Sequence, residues 1–301
     1  MSDVKLRRSL LYVSGASPVN MAQAPYYDED CIIYDLEDSV PLDQKDVARF
    51  LVYNTVRYHR PRDKEVIVRV NAINTPFGKQ DLEAIVRSKP DVIRFPKIET
   101  PQDVLDACAY IKKIEVQAGI EAGSTKIIAG MESHIGVLNA REIATSSPRI
   151  VAISLGGEDY TASLMTERSK DGLELFYGRN TILLAARAAG VQAIDTVYAD
   201  INDEEGLIEE TKQIKKLGFD GKYLIHPRQI DPVNKIFTPT KKEIEYAIKV
   251  FDIIEEGKKQ NKGAIALEGS MIDEPMVKRA RTLMARAKAA GIKIGGDYYD
   301  D

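Results

Sequence analysis

The chain has 301 residues, 44% of them hydrophobic and 29% charged, with a formal net charge of −4, the profile of an ordinary globular protein able to bury one large core. Acids and bases are interspersed, so no basic stripe invites nucleic acid or an anionic membrane surface, and no stretch approaches the roughly 20 apolar residues of a membrane span. With no apolar signal core near Met1, no CxxC and no clustered histidines, the expectation is a cytoplasmic protein with Cys31 and Cys108 as reduced core residues.

In chain order, short β-type runs alternate with helical periodicity. The runs are Ser9 to Val13, Cys31 to Asp35, Val66 to Val70, Val92 to Phe95, Lys126 to Ala129, Ile150 to Ser154, Ala193 to Thr196 and Lys222 to Ile225. Between them lie stretches with i, i+3, i+4 spacing, such as Val47, Phe50 and Leu51, or Val104, Leu105, Cys108 and Ile111, each the signature of a helix with one buried face. Gly190, Gly218, Pro41, Pro90 and Pro101 punctuate the junctions. Eight strands alternating with helices predict a (β/α)8 TIM barrel over 1–237, because parallel strands need crossovers and a sheet of this size closes on itself. The competing architecture, a doubly wound open sheet, lacks the GxGxxG that should follow its first strand.

Beyond 237 the pattern changes. Ile244, Ala247, Ile248, Phe251 and Ile254 mark a further helix, then come a short apolar run, the turn Glu268-Gly269-Ser270 and a last helix carrying Val277, Ala280, Leu283 and Met284. Residues 238–301 read as a C-terminal helical extension of the same domain, serving as packing, as a lid over the barrel mouth, or as an arm exchanged between subunits.

The chemistry is expected at the C-terminal strand ends, which converge on one face of such a barrel. Glu132 and Asp159 each close an apolar run with glycine beside it, in Ile128-Ala129-Gly130-Met131-Glu132 and Ile153-Ser154-Leu155-Gly156-Gly157-Glu158-Asp159. Two carboxylates at neighbouring strand ends would seat Mg2+, a hard cation that takes oxygen ligands and keeps several waters; alternatively they only cap helices. Asp35, Glu37, Asp38, Arg69, Lys97, Asp195 and His226 complete a polar rim suited to an anionic substrate. Ser14 and Ser133 lack a GxSxG elbow, which speaks against nucleophilic hydrolysis. Lys97 reads as an ion-pair partner, with Glu99 beside it, in preference to an imine-forming lysine.

Tyr34-Asp35-Leu36-Glu37-Asp38-Ser39-Val40, Val68-Arg69-Val70-Asn71, Met131-Glu132-Ser133, Leu155-Gly156-Gly157-Glu158-Asp159-Tyr160 and Gly221-Lys222-Tyr223-Leu224-Ile225-His226-Pro227 resemble, in order, the citrate lyase β-subunit family within the HpcH/HpaI aldolase-like superfamily. Departures are Ser14-Gly15, where the family often reads Pro-Gly, and Gly157, where alanine is common. The resemblance implies a TIM barrel, Mg2+ as cofactor, and cleavage of a citryl thioester on an acyl carrier protein to oxaloacetate and an acetyl thioester. By the same resemblance Glu132 and Asp159 ligate the metal, Glu37 and Asp38 fix its waters, and Arg69 binds the substrate oxygen and a carboxylate. Amides near Gly157 and Glu158 hold the distal carboxylate, and Asp273 is a mobile acid near the acetyl carbon. The implied partners are the citrate lyase α (acyl transferase) and γ (acyl carrier protein) subunits, in a homo-oligomeric assembly. A stand-alone malyl-CoA or citramalyl-CoA lyase is the alternative on the same fold, and a non-catalytic thioester-binding subunit is the alternative from another class.

Overall fold

The runs and helical stretches appear in a computed structural model, which describes residues 5–259, 265–267 and 270–294. In chain order these hold β1 (Ser9–Ser14), α1 (Pro18–Gln23), β2 (Cys31–Asp35), α2 (Lys45–Tyr58), β3 (Glu65–Arg69), α3 (Gly78–Ser88), β4 (Val92–Phe95) and α4 (Pro101–Gln117). There follow β5 (Lys126–Met131), α5 (His134–Leu138), α6 (Ala140–Thr145), β6 (Ile150–Leu155), α7 (Gly157–Ser163), α8 (Phe176–Ala189), β7 (Gln192–Asp195), α9 (Glu204–Leu217) and β8 (Gly221–Leu224). The chain continues through α10 (Ile230–Phe237), α11 (Lys241–Lys259), β9 (Ile265–Leu267), β10 (Ser270–Ile272) and α12 (Glu274–Ala289).

Strands β1 to β8 form a closed parallel barrel in sequence order, with β1 paired to β8. All eight lie within a residue or two of the expected runs. Local chemistry sets the crossover helices. Thr100 and Asp103 form a reciprocal capping box at the start of α4, with Pro101 in its first turn. Asp203 caps α9, which ends at Gly218 with φ 119°, a backbone angle that L side chains avoid.

Alternate strand residues point inward. Leu10, Cys31, Ile33, Ile67, Val92, Ile128, Ala152, Ile194 and Tyr223 fill the barrel as one apolar cluster. The helix faces needed correction in places. In α2 the expected stripe of Val47 and Phe50 is 60% and 68% exposed, while Ala48, Val52 and Val56 are buried; in α4 Leu105 is exposed, and Val104, Ala107, Ile111 and Ile114 pack inward. Both stripes are apolar and helically spaced, so only the sheet beneath decides which one is covered.

The chain divides into two compact units: Arg7–Asn234, which contains the barrel, and a second that gathers the described residues from Lys235 onward with Lys5 and Leu6. In the second unit β9 and β10 pair antiparallel. Ile244, Ala247, Val250, Ile272, Val277, Ala280, Met284 and Ala287 form its own core.

Candidate active site

The inward files of the barrel turn from apolar to charged at their C-terminal ends. Cys31 and Ile33 are followed by Asp35, Ile67 by Arg69, Val92 by Arg94, and Ile128 by Gly130 and then Glu132. The β2–β3–β4 register puts Asp35 beside Arg69 and Arg69 beside Arg94. Two guanidiniums on adjacent strands repel, so each needs its own carboxylate.

Asp35 serves Arg69. Arg69 donates from Nε and Nη2 to the two oxygens of Asp35 at 2.6 and 2.7 Å, the bidentate geometry that arginine alone provides. Asp35 also accepts the backbone N–H of Glu37 and Ser39 at 2.9 and 3.0 Å. Burial alone would raise the pKa of Asp35, but the charge and hydrogen bonds of Arg69, with those amides, bring it down to about 2. The third nitrogen, Nη1, lies 3.0 Å from Glu37 Oε2 and 3.2 Å from Asp38 Oδ2, and the guanidinium stacks over Tyr12 at 4.6 Å.

Glu132 serves Arg94. The buried Arg94 donates from Nη2 to Glu132 Oε1 at 2.5 Å, and its guanidinium lies 5.6 Å from the centre of the Tyr223 ring. Two glycines make room: a Cβ at Gly130 would stand 2.7 Å from Arg94 Nη2, and one at Gly156 would stand 2.5 Å from Glu132 Cγ. Sequence reading missed Arg94. The available signal was an arginine inside Val92-Ile93-Arg94-Phe95, a run otherwise written for burial.

Lys97 bridges two neighbouring acids. Its Nζ is 3.0 Å from Glu37 Oε1 and 3.9 Å from Asp159 Oδ2. The expected ion pair is therefore present, but with Glu37 and not with the adjacent Glu99, which accepts the Ser133 hydroxyl. Burial opposes protonation of Lys97, and the bond to Glu37 reverses that, raising its pKa. An imine-forming lysine needs the opposite shift. Burial raises the Glu37 pKa, with Glu132 adding to the rise and Arg69 working against it.

The loop carrying Glu37 and Asp38 is fixed from below by Lys45, another residue that sequence reading missed. The buried Lys45 donates to the carbonyls of Leu36 and Glu37 at 2.8 and 2.7 Å and to Asn71 Oδ1 at 3.0 Å. A lysine in the first turn of a helix opposes the helix dipole, and that was its signal.

Asp159 and Glu158 sit in the first turn of α7 with carboxylates about half exposed. Arg168 donates to Glu158 Oε1 at 2.8 Å. The amide of Gly157, expected to face a substrate carboxylate, donates to Thr196 Oγ1 at 2.8 Å. Asp195, placed on the rim by the sequence, is fully buried between Arg179 at 2.9 Å and Lys222 at 2.8 Å, and has a structural role. His226 turns its Nδ1 onto the Arg228 amide. Asp273 belongs to the second unit, where Oδ1 accepts the Met276 amide at 3.0 Å and caps α12. Gly269, expected to supply the turn before it, lies outside the described residues.

Among the described residues no three His, Cys, Asp or Glu side chains cluster to enclose a metal. Glu132 and Asp159 nevertheless fit Mg2+, which is bound through one or two carboxylates and completes its shell with water and substrate oxygens. Glu132 commits Oε1 to Arg94, and Asp159 has Lys97 as a neighbouring cation. No helix of the described residues is long and apolar enough to cross a membrane.

Residues 8–227 match the model of the HpcH/HpaI aldolase/citrate lyase family. The chain is 47% identical over 289 residues to citrate lyase subunit beta of Escherichia coli (strain K12), covering 96% of each chain. It is 46% identical to citrate lyase subunit beta of Haemophilus influenzae, covering 95% of this chain and 98% of that one. The crystal structure of protein CitE from Mycobacterium tuberculosis in complex with magnesium, acetoacetate and coenzyme A superimposes with a TM-score of 0.77 at 32% identity, covering 94% of this chain and 98% of that one. On a family match across the barrel and close similarity along nearly the whole chain, this protein is a carbon–carbon lyase that belongs to the HpcH/HpaI aldolase/citrate lyase family.

Proposed function

We propose that the chain is the lyase subunit of citrate lyase, cleaving a citryl thioester carried on an acyl carrier protein into oxaloacetate and an acetyl thioester. The observation that carries this reading is the likeness to citrate lyase subunits beta along 96% of the chain. The reaction demands that the tertiary hydroxyl lose its proton, that the bond between the carbinol carbon and the thioester methylene break as a ketone forms, and that the acetyl enolate be protonated, and the charged strand ends are the groups proposed to serve these steps.

Glu132 and Asp159 are the residues proposed to hold Mg2+, which when bound supplies Lewis-acid polarisation and a template for the oxaloacetate oxygens. Arg94 orients Glu132 by engaging Oε1. Arg69 is anchored through Nε and Nη2 by Asp35, and Nη1, now engaged by Glu37 and Asp38, is the donor proposed to turn to the substrate oxygen whose charge grows in the transition state. Glu37 and Asp38 are proposed to order the waters around the metal. Since the Gly157 amide is engaged by Thr196, the distal carboxylate falls to donors around Glu158. Asp273 is proposed, from the family resemblance, as the acid that protonates the acetyl carbon. The α and γ subunits of citrate lyase are the proposed partners.

The test is to incubate the purified chain with citryl-CoA and with citryl carrier protein, with and without Mg2+. Release of oxaloacetate from both, faster from the carrier thioester, is expected. Cleavage of malyl-CoA or citramalyl-CoA with none of citryl thioester would overturn the reading in favour of a stand-alone lyase.

A further inference from the structure

Lys97 is held in a way that its surroundings alone do not require. Among the described residues three non-glycine residues have positive φ: Lys89, Lys97 and Met165. Lys89 follows α3 and Met165 follows α7 closely, where a left-handed residue ordinarily closes a helix. Lys97, with φ 54°, follows a strand. Its conformation lets the next amide, Ile98, donate to Gly130 O at 2.9 Å and directs an ammonium to Glu37 Oε1 and towards Asp159 Oδ2. Strained backbone of this kind collects at functional sites. Of the acids gathered here, Asp35 and Glu132 have arginines of their own, whereas Lys97 is the cation found within 4.0 Å of Asp159.

We propose that Lys97 is a tethered cation that neutralises Asp159 and Glu37 in the metal-free protein and is displaced when the divalent metal binds. This rests on the proposed assignment of Asp159 as a metal ligand. An ammonium 3.9 Å from Asp159 Oδ2 is repelled by a dication arriving at the same carboxylate, and the half-exposed Lys97 stem, unlike the buried Arg94 that stays on Oε1 of Glu132, is free to swing away, so metal entry breaks the Lys97 contact with Asp159. That contact lies on a half-exposed side chain, where ion pairs are weak, so displacement is cheap and the lysine acts as a competitor that lowers metal affinity. While the metal is absent it keeps Asp159 and Glu37 from repelling each other.

The experiment is calorimetric titration of the full chain with Mg2+ alone, and with Mn2+ alone, for the wild type, Lys97→Met and Asp159→Asn, together with melting temperatures in EDTA and in saturating Mg2+. Lys97→Met keeps the apolar stem and removes the charge. It should bind Mg2+ about 5-fold more tightly, the loss of one weak competing ion pair. Its melting temperature should fall in EDTA and match the wild type in saturating Mg2+. Asp159→Asn should abolish the titration. Unchanged or weaker Mg2+ binding by Lys97→Met, with wild-type binding intact, would overturn the role of Lys97 and leave the metal assignment standing. Absence of Mg2+ binding by the wild type would overturn both. Lys97→Gly, which also releases the backbone strain, serves as the second variant: it should tighten binding as Lys97→Met does, and weaker binding would show that Lys97 organises the site and does not compete for it.

Discussion

Replacing Arg94 by leucine tests whether Glu132 depends on a single buried counter-charge. Arg94 and Glu132 are 2% and 5% exposed, and their contact of 2.5 Å is a charge-assisted hydrogen bond inside the barrel. Removing one member of a buried pair strands the other, at a cost of about 3–5 kcal/mol. For a unit the size of this barrel, roughly 2–4 °C of melting temperature accompany each kcal/mol, so Arg94→Leu should melt about 6–20 °C below the wild type in EDTA. Part of that loss belongs to the stranded carboxylate and not to lost packing. Arg94→Leu combined with Glu132→Gln should therefore melt higher than Arg94→Leu alone, a non-additivity that a double-mutant cycle measures directly. Melting curves of the four proteins in EDTA give the answer. An Arg94→Leu variant within about 1 kcal/mol of wild type, or strictly additive effects, would refute the idea that Arg94 holds Glu132.

Other outcomes follow from the same geometry. Arg69→Lys keeps the charge but loses the fork on Asp35, so turnover should fall by more than KM rises; an unchanged turnover number removes Arg69 from the chemistry. Asp35 is depressed to about 2 by Arg69 and the Glu37 and Ser39 amides, against the effect of burial. It thus contributes about 2–3 kcal/mol above its unfolded pKa, lost as pH falls from about 4 towards 2. Asp35→Asn should flatten the melting temperature across that window, and an unaltered acid slope would refute the coupling. Asp273→Asn should bind oxaloacetate with Mg2+ normally yet cleave citryl thioester about 10²–10⁴-fold more slowly; wild-type cleavage, or loss of oxaloacetate binding, shows that its assigned role is wrong. Chelation should abolish cleavage and Mg2+ restore it, while borohydride with substrate should trap no adduct on Lys97, whose amine the bond to Glu37 keeps protonated.

The barrel was written locally. Most strands are short apolar runs, several of them rich in Val and Ile, set off by turn residues, and such runs are decided by neighbours a few positions away, so the eight strands and their order along the chain could be read without any long-range information. The candidates Glu132, Asp159, Arg69, Glu37 and Asp38 rest on the same local signal, charges at or just past the end of a run. Tertiary structure alone decided which of these charges are free and which are spent. Asp195 ends its strand as Asp35 does, but Arg179 from earlier in the chain and Lys222 from later in it both pair with it and leave it no role at the mouth. Lys97 takes Glu37, sixty residues away, over Glu99 two residues away. Ala48, Val52 and Val56, and not Val47 and Phe50, face inward in α2. Periodicity states that a helix has an apolar stripe and that a strand end is polar; partners and covered faces are set by distances between segments remote in sequence, which exist only once the barrel has closed.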